Sequence, residues 1–513
     1  MESFMFAKPF NYHFLILLTA IFMSVGLNIE FFSKLSTITT PSTLALTMLF
    51  MIFLFSLALE LLSYIWSVKI VCAFFITLSS VSSYFISVLH IGITPDIIQS
   101  TLNTNLSEAQ SFLNPHLFLY LLATCIFPLF LLYKLKLKRT KLSYALLTKL
   151  FCVGIYLVGS YGLWFGVVGK DLVLQLRPLS SLITPISPIR SSILLYNAKA
   201  KASMSYQHIA LDAKLKDSRK RILVLVIGES VRSENLNDYP RELMPKFKPQ
   251  SVSFKDFSSC GVITAISVPC MLTSYTHSTY TNRYLSDYID NILDITQRVG
   301  IATYWLDNNS GSSKACIGGL CDRLKEKYYF DGLDGVMFEK LKELLAHTTQ
   351  SSFFILHTYG SHGPDYFNRY PKEFEIHKPT CQTSALNQCS SEEIINSYDN
   401  SILYTDSLLE QTIAWLKGMQ DFEVSLWFIS DHGESLGEGG NYMHGGLPYS
   451  LSPSTQTKVA SLMWFGDRQS YLSLKAKENT PLSQDYVFHS ILGYFGITTK
   501  DYDKKLDLLK QGE

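Results

Sequence analysis

The chain carries no excess of either charge: 44 Lys and Arg stand against 43 Asp and Glu, for a formal net charge of +1. A nucleic-acid binder normally shows a basic surplus, so nucleic acid is not expected as a partner. No internal repeat and no low-complexity tract runs through the 513 residues, which sets aside solenoids and arrays. Further apolar runs follow the first, so it is not read as a removable signal peptide. No C-x2-C repeat is present to suggest a zinc cluster among the cysteines.

What is present is unevenly distributed. Residues 1–168 hold long apolar runs with few charges, and the rest reads as a mixed-charge domain. A bilayer span takes roughly 20 apolar residues. Five candidates qualify, near His13–Phe32, Thr43–Ile65, Val68–Leu89, Leu117–Tyr133 and Tyr144–Val168. Lys134, Lys136, Lys138, Arg139 and Lys141 crowd one loop, Lys8 and Lys69 lie on the same side, and the loop His90–His116 has no Lys or Arg. Positive-inside counting places the N-terminus in the cytoplasm and everything after Val168 outside; a lipid-binding patch is the competing reading of the basic loop. Cys72, Cys125 and Cys152 fall inside spans as small apolar residues. Cys260, Cys270, Cys316, Cys321, Cys381 and Cys389 come as three close pairs in the C-terminal half, which suits disulfides in an oxidising compartment.

The expected organisation is an all-α membrane domain of five transmembrane helices over 1–168, a bridge of interfacial turns, short helices and linker over 169–218, and a catalytic domain over 219–513. The basic stretch Lys214, Lys216, Arg219, Lys220, Arg221 reads as a solvated approach to the first strand, or as a contact with anionic headgroups. Ile222–Ile227, Ala302–Leu306, Phe353–His357 and Val424–Ile429 read as buried strands. Tyr288–Val299, Val336–Ala346 and Glu392–Gly418 read as helices. That alternation predicts an α/β/α sandwich with a mainly parallel sheet, whose ligands bind beyond the carboxyl ends of the strands.

Those ends carry the chemistry. Gly228-Glu229-Ser230 follows the first strand, Ser361-His362-Gly363-Pro364 follows the third, and Ser430-Asp431-His432-Gly433-Glu434 follows the fourth, with His444 further on. A Glu, an Asp and a His form a mixed oxygen and nitrogen set that suits Zn2+ with one position open. Each alone has a plain structural reading, and the set on one rim points to a metal. Thr264, ahead of Ala-Ile-Ser-Val-Pro269, is the candidate oxygen nucleophile, with Pro269 expected in the first helical turn. An N-cap threonine would have the same local signature.

These residues resemble the phosphoethanolamine transferases of Gram-negative inner membranes, within the alkaline phosphatase and sulfatase superfamily. The resemblance rests on Val-Ile-Gly-Glu-Ser-Val-Arg at 226–232, Thr-Ala-Ile-Ser-Val-Pro-Cys-Met at 264–271 and Trp-Leu-Asp-Asn-Asn-Ser at 305–310. Ser-His-Gly-Pro-Asp-Tyr-Phe at 361–367 and Ser-Asp-His-Gly-Glu-Ser-Leu-Gly at 430–437 complete it. It implies one tight zinc site from Glu229, Thr264, Asp431 and His432, with Thr264 as nucleophile. His362 and His444 would meet the phosphate or a second metal, one of them serving as general acid, and Lys314 would lie near the donor headgroup. The implied disulfides are Cys260–Cys270, Cys316–Cys321 and Cys381–Cys389. The loop 98–108 resembles a donor-lining stretch, with Thr104 and Glu108 retained and Ser100 where relatives carry asparagine.

The implied reaction moves phosphoethanolamine from phosphatidylethanolamine to a lipopolysaccharide acceptor, lipid A first, by a monomer of the inner membrane with its catalytic domain in the periplasm. A core sugar, a periplasmic glucan or a protein would also serve as acceptor. A phosphoglycerol transferase or lipoteichoic acid synthase-like enzyme is the near rival. A sulfatase is disfavoured by the absence of a C/S-x-P-x-R string. A membrane sensor or transporter is the remote rival; its one prompt, Glu60 inside a span, is expected to form a local ion pair with Lys69.

Overall fold

The computed structural model describes residues 9–104, 109–110, 112–138, 140–168, 178–201, 205–237, 239–309 and 316–510. It comprises two compact units, Met1–Pro95 with Leu113–Ile193, and Asp96–Phe112 with Leu194–Glu513. In chain order the N-terminal half carries α1 (Tyr12–Gly26), α2 (Ile29–Ser36), α3 (Pro41–Leu62), α4 (Val68–Val88), α5 (Pro95–Asn103), α6 (Pro115–Lys134), α7 (Leu142–Gly166) and α8 (Ile186–Lys201).

Within the first unit, α3, α4, α6 and α7 are long and apolar enough to cross a membrane, and α1 with α2 makes a fifth span if that pair counts as one. The expected single run His13–Phe32 is broken by a 54° bend. Asn28 sits at the break, and its side chain takes up the backbone groups that a bend leaves open. Its amide donates to the carbonyls of Met23 and Thr184, both at 2.8 Å, and its oxygen accepts from the Thr184 amide at 2.9 Å. The Glu60–Lys69 pair expected from the sequence is not formed. Glu60 is fully buried against α1, where the Tyr12 hydroxyl donates to it at 3.0 Å and His13 Nδ1 lies 2.7 Å away. Lys69 instead donates to the Tyr133 and Leu135 carbonyls at the end of α6, where a cation complements the unpaired carbonyls of a helix terminus.

The second unit is built on a seven-stranded sheet. The sheet strands and the helices named below are, in chain order, β1 (Arg221–Gly228), β2 (Val252–Ser253), α9 (Thr264–Met271), α10 (Ile292–Arg298), β3 (Ala302–Asp307), β4 (Glu326–Tyr329), α11 (Gly335–Ala346), β5 (Ser352–His357), α12 (Ser391–Lys417), β6 (Glu423–Ser430) and β7 (Ser461–Phe465). Across the sheet the order is β2-β7-β6-β1-β5-β3-β4. The pairs among β6, β1, β5, β3 and β4 are parallel, and β7 is antiparallel to β6 and β2. β1 is buried along its whole length, as an apolar strand covered on both faces must be. Leu223, Leu225 and Ile227 face a core shared with Val268 and Met271 of α9 and Ile292, Leu293 and Ile295 of α10. The alternate residues Val224 and Val226 are equally buried, while α11 packs on β3 and α12 on β6.

The four long parallel strands fall within a residue or two of their sequence-based bounds. The helix expected over Tyr288–Val299 begins only at Ile292, because Asn291 and Asp294 form a reciprocal capping box there. Arg219 and Arg221 are not simply solvated: both bind Asp217 and Glu423, and Arg221 is buried at the foot of β1. All three close cysteine pairs are bonded as the resemblance implies, with Cα separations of 6.2, 5.5 and 5.7 Å. Leu225 has no exposed surface in the central strand. Leu225→Ala should therefore cost roughly 2–5 kcal/mol through lost burial and the cavity left behind, and lower the thermal unfolding midpoint of the detergent-solubilised chain.

Candidate metal centre

The parallel register brings the strand ends together. Gly228 pairs with Ser430, Ile227 with His357, and His357 with Asp307, so Glu229, Asp431 and His432 emerge side by side on one edge. Gly228 is needed there because a Cβ would meet the Phe428 ring at 2.4 Å. Gly360 has φ +48°, and a Cβ on it would press on the Glu229 backbone at 3.0 Å. Glycine is the residue that suits both the conformation and the closeness.

The ligand atoms of Glu229, Asp431 and His432 lie within 4.8 Å of one another, and all three residues are buried. His432 Nε2 stands 3.3 Å from Glu229 Oε1 and 3.1 Å from Asp431 Oδ2. Thr264 Oγ1 completes the group, 3.2 Å from Glu229 Oε2 and 3.2 Å from His432 Nε2. Ile263 is the N-cap of α9 and Thr264 its first helical residue. The Thr264 hydroxyl thus points into the carboxylate and imidazole group rather than capping the helix. Pro269 lies in the second turn of α9, not the first as the sequence suggested; the opening turn is closed by the Ile266 and Ser267 amides on the Ile263 carbonyl. The Cys260–Cys270 bridge spans this segment.

The donor set fits a divalent cation. Asp431 Oδ2 is buried and, although His432 Nε2 stands 3.1 Å away, it accepts no hydrogen bond among the described residues, an arrangement that a cation held between the two groups would satisfy. Burial, and then the charge of Glu229, push the Asp431 carboxyl up to about 7. Burial disfavours the charged imidazole of His432, but the Asp431 and Glu229 carboxylates outweigh it and raise His432 to about 10. Burial alone would raise Glu229; His432 beside it holds its carboxyl well below the usual carboxylate range.

Both further histidines converge on this group. The ligand atoms of Glu229, His362 and His444 fall within 4.8 Å of one another, as do those of His432, Glu434 and His444. The His432 and His444 rings are 3.9 Å apart between centroids. His444 Nδ1 donates to Glu434 Oε2 at 2.9 Å, and the Tyr366 hydroxyl donates to Glu434 Oε1 at 3.1 Å. His362 Nδ1 donates to the Gly363 carbonyl at 2.6 Å. Burial, and then the His432 charge, lower His444, favouring its neutral form.

Three supporting residues had no role assigned from the sequence. Asn309 donates to Glu229 Oε2 at 2.7 Å, and its place just past β3 is the signal that could have found it. Glu434 follows His432 by two residues and orients His444. Gln484 donates to the Ser430 and Asp431 carbonyls, both at 2.8 Å, and accepts from the Cys260 amide at 2.6 Å; nothing local in the sequence marks it. Ser100 lies within α5 and Thr104 just past its end, where Thr104 Oγ1 donates to the Ser100 carbonyl at 2.8 Å. Glu108 and Lys314 lie outside the described residues.

The chain is similar to known proteins over both of its halves. Residues 51–200 match the family described as phosphoethanolamine transferase EptA/EptB, and residues 221–497 match the sulfatase family. The chain is 32% identical to phosphoethanolamine transferase EptA of Escherichia coli K12, covering 96% of each chain. It resembles the structure of the integral membrane lipooligosaccharide phosphoethanolamine transferase A of Neisseria meningitidis with a TM-score of 0.90 at 27% identity, over 98% of this chain and 99% of that one. The C-terminal periplasmic domain of phosphoethanolamine transferase EptC from Campylobacter jejuni is 40% identical, with a TM-score of 0.56 over 60% of this chain and 98% of that one.

The protonation of the ligands sets a sign for metal binding. Asp431 has a folded value above its unfolded one, so its proton stabilises the metal-free fold at low pH. That contribution fades as pH rises from about 4 through about 7. A cation must displace that proton. Added Zn2+ should accordingly raise the thermal midpoint more at about pH 7.5 than at about pH 5.5, with protons released on binding. A shift independent of pH, or one kept in Asp431→Asn, would count against this ligand set.

Proposed function

Because the chain belongs to the phosphoethanolamine transferases of the alkaline phosphatase/sulfatase superfamily, we propose that it transfers phosphoethanolamine from phosphatidylethanolamine to a lipopolysaccharide acceptor, with lipid A preferred. The observation that carries the mechanism is the convergence of Thr264 Oγ1, Glu229 and His432 at 3.2–3.3 Å. Glu229, Asp431, His432 and Thr264 would hold one Zn2+. That ion would supply Lewis acidity, lowering the hydroxyl pKa of Thr264 and drawing charge from phosphoryl oxygens.

Thr264 is half-buried at the start of α9, its hydroxyl is oriented by donating to Glu229 Oε2 at 3.2 Å, and its proton passes to water as it attacks. Thr264 Oγ attacks phosphorus, and the bond to the diacylglycerol oxygen breaks. That oxygen needs a proton as it leaves. His362 is the better donor, since burial and the His432 charge hold His444 toward its neutral form. The product is a phosphoethanolamine ester on Thr264. An acceptor phosphate oxygen, already anionic, then attacks phosphorus, and the Thr264 oxygen leaves and regains its proton. His362 and His444 stand where charge develops on the phosphoryl oxygens.

The membrane domain (1–168), bridge (169–218) and catalytic domain (219–513) are read as an inner-membrane anchor, a connector and a periplasmic enzyme acting as a monomer. The basic loop between α6 and α7 supports a cytoplasmic N-terminus, and the three disulfides support an oxidising compartment for the second unit.

Incubating the purified chain with phosphatidylethanolamine should add the mass of phosphoethanolamine to the peptide containing Thr264. Thr264→Ala should lose the adduct and about a thousandfold or more of transfer activity; full activity in that variant would sink the proposal. In a Gram-negative host, expression should add phosphoethanolamine to lipid A by mass and reduce susceptibility to cationic polymyxin-type peptides, since an added ammonium offsets anionic charge. Unmodified lipid A would redirect the search to another acceptor.

A further inference from the structure

We infer that Arg283 is a positioning residue that holds α5 against the rim of the Thr264 site, and that this grip sets the affinity for the lipid donor. The inference rests on the phosphoethanolamine-transfer reading above and assigns α5 its place in it.

Residues 96–112 belong to the same compact unit as the sheet and the metal centre. The Arg283 guanidinium donates to the Asp96 carboxylate and to the Gln99 side-chain oxygen. Asp96 and Gln99 are three residues apart on one face of the first turns of α5, so a planar fork with several donors grips the helix at two points. Asp96 also stands in the first turn, where a carboxylate complements the positive end of a helix. The Arg283 and Asp96 side chains are only 12% and 16% exposed, which shields the pair from the screening that weakens surface ion pairs. Asn282, the preceding residue, donates to the Ala198 carbonyl of α8 at 3.0 Å.

The grip lies beside the chemistry. Gly445 follows His444 and has φ +75°; a Cβ there would stand 2.5 Å from Ile263 Cγ2 and 3.4 Å from Ile97 Cδ1. Ile97 of α5, the residue before Thr264 and the residue after His444 therefore meet at one point. Ser100 continues from that point along the same helix, and Thr104, just past its end, bonds back to the Ser100 carbonyl. If Arg283 lets go, these residues lose their fixed distance from Thr264 while Glu229, Asp431 and His432 keep theirs. The consequence is a loss in donor affinity rather than in the chemical step.

The test uses the full-length chain in detergent micelles with phosphatidylethanolamine as lipid donor and p-nitrophenyl phosphoethanolamine as a donor without acyl chains. Arg283→Ala should raise KM for the lipid about tenfold, the effect of losing one shielded ion pair, with kcat within about twofold and the soluble ester cleaved as by the unaltered chain. Hydrogen exchange of the amides in Ile97–Asn103 should quicken by a similar factor. The charge exchange Asp96→Arg with Arg283→Asp should recover part of the KM loss, since the ion pair returns while the bond to Gln99 does not. Unchanged KM and exchange overturn the inference, and so does equal loss on both donors, which would signify general damage to the fold. An unaltered chain that cleaves neither donor overturns the transferase reading, and the exchange measurement then still decides whether Arg283 holds α5.

Discussion

Two carboxylates and an imidazole share a buried space at the carboxyl edge of the sheet, and among the described residues one carboxylate oxygen there, Asp431 Oδ2, accepts no hydrogen bond. Concentrated negative charge out of reach of water is tolerated only where something positive answers it. Much of the second unit serves that condition. The register of β1 against β6 sets Glu229 beside Asp431, Gly228 clears room over Phe428, and Gly360 lets its loop lie on the Glu229 backbone. Ser230, at φ +63°, turns the chain at once after Glu229, so that its hydroxyl donates to Glu229 Oε1 at 2.8 Å and its amide to Asp431 Oδ1 at 3.2 Å.

Around that space the remaining polar groups act as a scaffold of directions rather than as further charges. Asn309 fixes one oxygen of Glu229, and Glu434 fixes which nitrogen of His444 bears hydrogen. Tyr366 in turn fixes Glu434. Gln484 ties the end of β6 to Cys260, while the Ser267 hydroxyl ties α9 to the Asp431 carbonyl. Each link removes a rotation from a side chain that would otherwise have to be ordered when substrate arrives, which is how a site lowers the entropic cost of reaction.

The strands were legible because burial on both faces leaves an unbroken apolar run, and Ile222–Ile227 and Val424–Ile429 are such runs. Their carboxyl ends then located Glu229, Asp431 and His432 by topology alone. β4 and β7 escaped notice for opposite reasons. Glu-Lys-Tyr-Tyr of β4 is polar because it forms the sheet margin, and β7 runs antiparallel, where no helix crossover announces it. Gln484 and the true partners of Glu60 were illegible in principle, since each contact joins distant segments through a hydrogen bond that no local pattern encodes. The position of Pro269 was misjudged because a proline can begin a helix or sit inside a short one, and only the path of the chain at Ile263 decides which.

The inclusion of residues 96–112 in the second unit bears on how the protein is made. Asp96 and Arg283 are 187 positions apart in the chain, so a helix translated early has to wait for most of the body it joins. A fragment begun at the bridge would fold its sheet without that helix and present a bare strip where Ile97 belongs. Any measurement on such a fragment would report on the buried carboxylates and imidazole without the helix whose Ile97 lies against Gly445.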